Sequence, residues 1–141
     1  MLLKNETTII RVLKQKNSQS LIIDCIKRTM PQWVDSTSLL NFIECDESEL
    51  YQQTGAIQNR TLNSHEQRIA QERYTLIASI LPFIGDERKR CMMINLISEH
   101  KSKQTIRKYL CLYLVYQDIT ALAPKPRYKE GDRKYVYCNL Y

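Results

Sequence analysis

The hydrophobic pattern of this chain changes partway along, from one typical of strands to one typical of helices. Two runs rich in β-branched residues, 6–14 and 19–27, flank the polar segment 15–18 and predict an antiparallel hairpin. A third short strand is expected at 32–35. Because a lone hairpin is marginal in water, this unit needs another strand, a helix or a partner to cover it.

Helix start signals appear after the strand region. Asp46, with Glu49 three residues later, has the form of a capping box and predicts a short helix that ends at Gly55. Ser64 with Gln67 has the same form and predicts a longer helix. The apolar residues of that helix recur at helical spacing, and a proline ends the run.

Two more helices are predicted beyond it. Asp86 is the expected N-cap of the first, whose apolar face is predicted to be Met93, Leu96 and Ile97. Ser102 is the expected N-cap of the second, which runs to about Tyr116. Its core stripe is predicted to be Ile106, Tyr109, Leu110, Tyr113 and Leu114. Its exposed stripe is polar and basic and is predicted to be Gln104, Arg107, Lys108 and Cys111.

These elements predict an α+β fold. A small N-terminal β-hairpin or β-barrel-like unit is followed by an all-α helix-turn-helix domain, because two helices separated by a tight break are typical of that motif. The expected parts are a β-rich unit with a short helix at 1–55, a linker at 56–63, a helical domain at 64–118, and a basic extended tail at 119–141.

The positive charge of the chain is concentrated in its last part. The formal net charge is +6, yet residues 1–85 hold nine basic and nine acidic side chains. Residues 86–141 hold twelve basic and six acidic side chains, which accounts for the whole excess. This asymmetry favours an anionic partner such as nucleic acid, although a basic surface without a partner gives the same numbers.

Several classes of protein are not expected. The longest apolar run, near 110–116, is far short of the roughly 18 residues of a membrane helix. The N-terminus lacks a signal-peptide hydrophobic stretch, so a cytoplasmic location is expected, with association to the nucleoid when DNA is bound. The five cysteines are at least 20 residues apart, and neither a zinc site nor a disulfide framework is predicted. No phosphate-binding loop or nucleophile motif is found, so neither an enzyme nor a cofactor is expected.

The start of the last helix carries side chains suited to DNA. Glutamine can bind adenine through two hydrogen bonds, arginine or lysine can bind guanine, and a helix N-terminus favours a phosphate oxygen. The predicted DNA contacts are Ser102, Lys103, Gln104, Thr105, Arg107 and Lys108, together with Lys125 and Arg127 of the extended tail. A solvated basic face in a helical bundle is the alternative interpretation of the same pattern.

Several segments together carry a family resemblance. They are Ile80-Leu81-Pro82-Phe83-Ile84, the helix containing Met93 to Ile97, Lys103-Gln104-Thr105-Ile106-Arg107-Lys108-Tyr109-Leu110, Tyr113-Leu114, and Ala121-Leu122-Ala123-Pro124. Their order resembles the N-terminal part of Mu-type, TnsB-like DDE transposases. In that family a helix-turn-helix precedes a tyrosine-rich helix end and an Ala-Leu-x-Pro segment, and the upstream β unit is similar to the family's leading domain. The turn His100-Lys101-Ser102 departs from the pattern, since it is one residue short and lacks an apolar residue.

The resemblance implies binding to the DNA ends of a transposon. Members of the family join DNA strands with an RNase H-like domain that uses three acidic residues and divalent metal. Such a domain needs on the order of 150 further residues. The expectation is therefore a DNA-binding fragment or truncated copy and not an enzyme. Its implied partners are double-stranded DNA and either further copies of the chain or other transposition proteins.

Two other functions are compatible with the same sequence. One is a helix-turn-helix transcription regulator whose N-terminal β unit senses a signal or forms a dimer, which would bind a palindromic site. The other is a protein-interaction module whose surface is merely basic. The three hypotheses differ in whether the chain binds duplex DNA and in the symmetry of the bound site.

Overall fold

A computed structural model describes residues 1–125, which form an α+β fold with a five-stranded antiparallel sheet and four α-helices. The strands are β1 (Leu2–Lys4), β2 (Ile9–Lys16), β3 (Gln19–Asp24), β4 (Gln32–Asp35) and β5 (Ile43–Cys45). The α-helices are α1 (Glu47–Thr54), α2 (Ser64–Ala78), α3 (Glu87–Ile97) and α4 (Lys103–Tyr116). Short 3-10 helices lie at Ser36–Leu39, Leu81–Phe83 and Ile119–Leu122. Within this part of the chain, none of the helices has the length and apolar character needed to cross a membrane.

The predicted hairpin is present as β2 and β3. Lys16 pairs with Gln19, so the connection is only two residues long. Asn17 occupies the left-handed region there, with φ 57°, a conformation that asparagine tolerates better than most residues. The predicted third strand is also confirmed, because β4 spans Gln32–Asp35 and pairs with β3.

Two strands of the sheet were not predicted. The strand order is β4-β3-β2-β1-β5, so β1 lies between the hairpin and β5. Both β1 and β5 have three residues, too few for an alternating pattern to be recognised. Leu2 of β1 pairs with Cys45 of β5, and this distant pairing leaves no local signal in the sequence.

The predicted helix caps are confirmed for three of the four α-helices. The Asp46 side chain accepts a hydrogen bond from the backbone N–H of Glu49, and α1 ends at Gly55, which has φ 75°. Asp86 caps α3 in the same way. Ser102 caps α4, which runs to Tyr116 as expected.

The capping box of α2 begins one residue before the predicted position. Its N-cap is Asn63 and not Ser64, and Asn63 exchanges reciprocal hydrogen bonds with Glu66 and not with Gln67. Arg60 favours Asn63 over Ser64 as the N-cap, because its guanidinium lies 2.7 Å from the Glu66 carboxylate and holds the Glu66 side chain in place. Backbone and arginine hydrogen bonds both favour the ionised carboxylate, and they lower the pKa of Glu66.

The helices cover one face of the sheet and share a hydrophobic core with it. The sheet contributes Leu2, Ile9, Leu21, Ile23 and the adjoining Cys25 to this core. Trp33 of β4 packs at its margin, and its indole N–H donates to the carbonyl of Gly85, 2.8 Å away. A Cβ at position 85 would lie 3.1 Å from the Trp33 ring, so this close approach favours glycine.

A buried arginine connects the sheet with two helices. Arg11 of β2 donates its Nε–H to the carbonyl of Val115 at 2.7 Å. Its two terminal nitrogens bind both carboxylate oxygens of Glu47 at the start of α1, at 3.0 and 2.7 Å. This bidentate geometry satisfies a guanidinium whose side chain is only 8% exposed. The expected division of the chain at 55 and 64 into separate units remains a prediction.

Candidate nucleic-acid interface

Helix α4 is buried at one end and exposed at the other. From the middle of the helix onward the buried side chains are Tyr109, Leu110, Cys111, Leu114, Val115 and Tyr116. In its first half Ile106 is fully buried and anchors the helix. The exposed side chains of that half are Lys103, Gln104, Arg107 and Lys108, and Thr105 is half-buried. Most of the predicted DNA contacts therefore lie together on one short, polar and basic surface.

Ser102 and Thr105 organise the first turn of α4. The Ser102 hydroxyl accepts a hydrogen bond from the backbone N–H of Thr105 at 3.2 Å and donates to the Thr105 hydroxyl at 2.9 Å. Since both hydrogen-bonding roles of the Ser102 hydroxyl are occupied, this predicted contact serves to cap the helix. The cap fixes the direction of the neighbouring exposed side chains.

The predicted basic stripe ends earlier than expected. Cys111, predicted to be exposed, is 4% exposed and lies beneath the loop that joins β3 to β4. Its sulfur lies 3.6 Å from the Met30 sulfur and 3.9 Å from the Thr29 carbonyl oxygen. Burial raises the pKa of this thiol, while Arg90 and Arg28 oppose the shift. Cys111 has the helical spacing of the basic stripe, but the β3–β4 loop, which is distant in sequence, covers this turn of the helix.

The packed face of α3 also differs from the prediction. Leu96 is 65% exposed, whereas Ile94 and Arg90 are buried. The true buried face follows i, i+3, i+4 and i+7 spacing and consists of Arg90, Met93, Ile94 and Ile97. Met93 and Ile97 of the predicted face are confirmed, and Leu96 is wrong. Arg90 was not predicted because it is charged, although the spacing was an available signal.

Arg90 contributes to packing and not to the basic surface. Its Nη1 donates to the carbonyl of Ile84 at 2.7 Å and to that of Pro31 at 3.4 Å. It therefore joins the start of α3 to the loop before β4. Arg90 is one of the basic residues that produce the charge excess of residues 86–141, and its burial makes its charge unavailable to a partner.

The connection between α3 and α4 is longer than predicted. Helix α3 ends at Ile97, so residues 98–102 separate it from α4. Backbone hydrogen bonds from Ser98 to Ile94 and from His100 to Ile97 tighten the end of α3. The turn predicted at 100–102 is therefore only the last part of this connection.

The two flanks of α4 meet different parts of the chain. On one flank, the β3–β4 loop (residues 25–31) presents the exposed side chains of Lys27 and Arg28, which were not among the predicted contacts. On the other, the Arg73 guanidinium of α2 lies 4.9 Å from the centre of the Tyr109 ring and donates to the carbonyl of Leu122 at 2.8 Å. That bond fixes the chain shortly before Lys125.

The predicted tail contacts are only partly described. Lys125 is exposed, just beyond the buried pair Leu122 and Ala123. Arg127 and the rest of the basic tail lie outside residues 1–125. The structure therefore places one predicted tail contact and leaves the other untested.

Comparison with known proteins adds no assignment. No protein-family model matches this sequence, and no curated protein matches it either.

Proposed function

We propose that this chain binds double-stranded DNA through α3 and α4, with α4 as the recognition helix of a helix-turn-helix. The observation that carries the proposal is the division of α4 into a buried half and an exposed half. The buried half fixes the helix in the fold, while the exposed half presents an amide and three cationic side chains: Gln104, Lys103, Arg107 and Lys108. Recognition helices contact base edges with their N-terminal residues, and this is the exposed end of α4.

Each exposed side chain has a role in the proposed complex. Gln104 and Arg107 are three residues apart on one face of the helix, where they can reach neighbouring base edges. Lys103 and Lys108 bind phosphate oxygens, and the N-terminal end of the helix dipole favours the same anions. The exposed Lys125, followed by Arg127, extends this contact as a basic arm.

We propose further that the bound DNA is the end of a transposon. In this proposal residues 1–55 form a leading β unit, residues 64–118 the helix-turn-helix domain, and the chain the DNA-binding N-terminal part of a transposase. The order of segments that resembles Mu-type, TnsB-like transposases supports it. Further copies of the chain or other transposition proteins are its proposed protein partners.

The experiment is selection followed by titration. The purified chain selects its preferred duplex from a random library, and fluorescence anisotropy then measures Kd for the selected duplex and for random duplex. Gln104→Ala and Arg107→Ala are each expected to lower the preference for the selected duplex by about fivefold to 150-fold, because a bidentate base contact is worth about 1–3 kcal/mol. Gln71→Ala is the matched control, since Gln71 is an exposed glutamine on α2.

The outcomes separate the functions that the sequence left open. A preferred sequence that recurs at the ends of a mobile element supports the transposase proposal. A single palindrome bound by a stable dimer would instead indicate a transcription regulator. Equal loss of affinity for both duplexes in Gln104→Ala would contradict base reading by α4, and no binding to any duplex would indicate a protein-interaction module.

A further inference from the structure

The β3–β4 loop runs along α4 and continues its basic surface. Arg28 Nη2 donates to the Tyr116 hydroxyl at 3.3 Å, near the C-terminal end of α4. The two following residues, Thr29 and Met30, cover Cys111, less than two turns earlier. Lys108 is exposed in the next turn, about 12 Å along the helix from Tyr116.

The loop has a fixed shape before any partner binds. The Asp24 carboxylate oxygen Oδ1 accepts hydrogen bonds from the backbone N–H groups of Ile26 and Lys27 and from the Thr8 hydroxyl, each at 2.9 Å. The backbone N–H of Arg28 donates to the Asp24 carbonyl at 2.8 Å. These bonds close a turn at the end of β3 and engage one oxygen of the Asp24 carboxylate.

Arg28 adopts a backbone conformation that its type disfavours. Its φ is 55°, in the left-handed region where glycine or asparagine is the usual residue. Its guanidinium lies 5.9 Å from the centre of the Tyr116 ring, which holds the side chain beside α4. A strained residue that is held in place by its side chain is a feature of binding loops.

Lys27 is the cation of this loop that folding does not use. Its side chain is exposed, and within residues 1–125 no hydrogen bond or ion pair engages its ammonium group. Since the backbone of the turn is already fixed, a phosphate oxygen bound there orders only the Lys27 side chain.

We propose that the β3–β4 loop is a second contact of the DNA interface and that Lys27 and Arg28 bind backbone phosphates at the edge of the groove that α4 enters. This inference rests on the proposed DNA-binding function and extends it to the β-sheet part of the fold. The loop contacts α4 at Tyr116 and at Cys111, about 12 Å and about 4.5 Å along the helix from Lys108, so it lies beside the exposed half of α4. Residues of α4 read bases, and the loop holds one strand without reading sequence.

The test measures Kd for random-sequence duplex and for the selected duplex, with the full chain, between about 50 and 200 mM salt. Lys27→Ala is expected to weaken both duplexes equally, by about threefold, and to make the salt slope shallower by about 0.9, the value of one phosphate contact. Lys27→Glu is expected to weaken both further. Lys16→Ala and Lys16→Glu are the matched controls, because Lys16 is exposed at the end of β2 and pairs with Gln19, which lies about 17 Å along β3 from Asp24.

Arg28→Lys gives a second measurement, since it keeps the charge but loses the planar group that lies on Tyr116. Retained affinity for random duplex with a lower Tm in Arg28→Lys, together with weaker affinity in Arg28→Ala, would show that the charge binds phosphate and the guanidinium positions the loop. Unchanged affinity in Arg28→Ala would remove Arg28 from the contact. Unchanged Kd and slope in Lys27→Ala and Lys27→Glu, with wild-type binding intact, would overturn the loop contact while leaving the recognition helix. Equal effects of Lys27→Glu and Lys16→Glu would also overturn it. Failure of the wild-type chain to bind any duplex would overturn the DNA-binding proposal itself.

Discussion

Arg11 joins parts of the chain that are distant in sequence. Its substitution tests how much the stability of the fold depends on the hydrogen bonds that it donates. Arg11→Met keeps most of the buried volume but leaves the Val115 carbonyl without its hydrogen bond and Glu47 without its partner. We expect a loss of about 2 kcal/mol in the free energy of unfolding, measured by urea denaturation, because an unsatisfied buried acceptor costs about 1–3 kcal/mol. Glu47→Gln should cost less, since the Val115 bond survives and the amide oxygen accepts one bond. The reverse ranking would contradict this assignment.

Cys25 links stability to alkaline pH. Its side chain is fully buried, and burial raises its pKa from 9.0 to about 12. The folded state therefore keeps this proton at pH values where the unfolded state has lost it. The resulting stabilisation is complete below about pH 9 and is lost as pH rises toward 12.

The comparison of wild type with Cys25→Ala isolates this effect from the other groups that titrate in the same range. The difference in unfolding free energy between the two proteins should shrink as pH increases from 9 toward 12. Urea titrations at several pH values measure it. A difference that stays constant over this range would show that the Cys25 thiol does not couple to folding.

At the scale of the element, the cap of α4 can be separated from its DNA contact. Ser102→Ala removes the hydrogen bond to Thr105 and should lower both stability, by about 1 kcal/mol, and DNA affinity, since the first turn frays. Ser102→Asp preserves capping but adds a negative charge where a phosphate is expected. We expect it to retain the wild-type Tm and to weaken binding to random duplex. Loss of stability in both variants would mean that aspartate cannot replace this cap.

Sequence patterns within a few residues were enough to predict the elements whose bounds depend on short-range interactions. The bounds of α4 followed from Ser102 and an apolar repeat, and those of β4 from a short apolar run after a proline. The start of α2 was misplaced by one residue, because Asn63 and Ser64 are both good caps and Arg60 decides between them. The caps could be predicted because each cap residue and the backbone N–H that it binds lie within four consecutive residues.

Tertiary contacts decided what the sequence did not reveal. Strands β1 and β5 exist because they pair with each other and with the hairpin. Cys111 is buried by a loop about 80 residues earlier in the chain, and Arg90 is buried because backbone carbonyls of other segments accept its hydrogen bonds. The exposed residues at the start of α4 were predicted from helical spacing, whereas the place of the β3–β4 loop beside α4 was not predicted, because only packing brings this loop there.

At the scale of the molecule, the sheet depends on the helices. The core residues of β2 and β3 pack with those of α2 and α4 in one cluster. A fragment of residues 1–63 lacks both helices and would expose the helix-facing side of the sheet. We therefore expect this fragment to be unfolded by near-ultraviolet circular dichroism, which the environment of Trp33 dominates. A fragment with the native spectrum would show instead that the N-terminal unit folds without α2 and α4.

The large sequence separation between Arg11 and its partners affects the rate of folding. Its partners are 36 and 104 residues away, so the contacts that complete the core have high sequence separation. Loop closure of this length slows folding relative to helical bundles of similar size. During synthesis, at about 5–20 residues per second, the sheet emerges several seconds before α4 and must wait with its inner face uncovered. We therefore expect substitutions that weaken α4 to lower first the yield of folded protein in the cell.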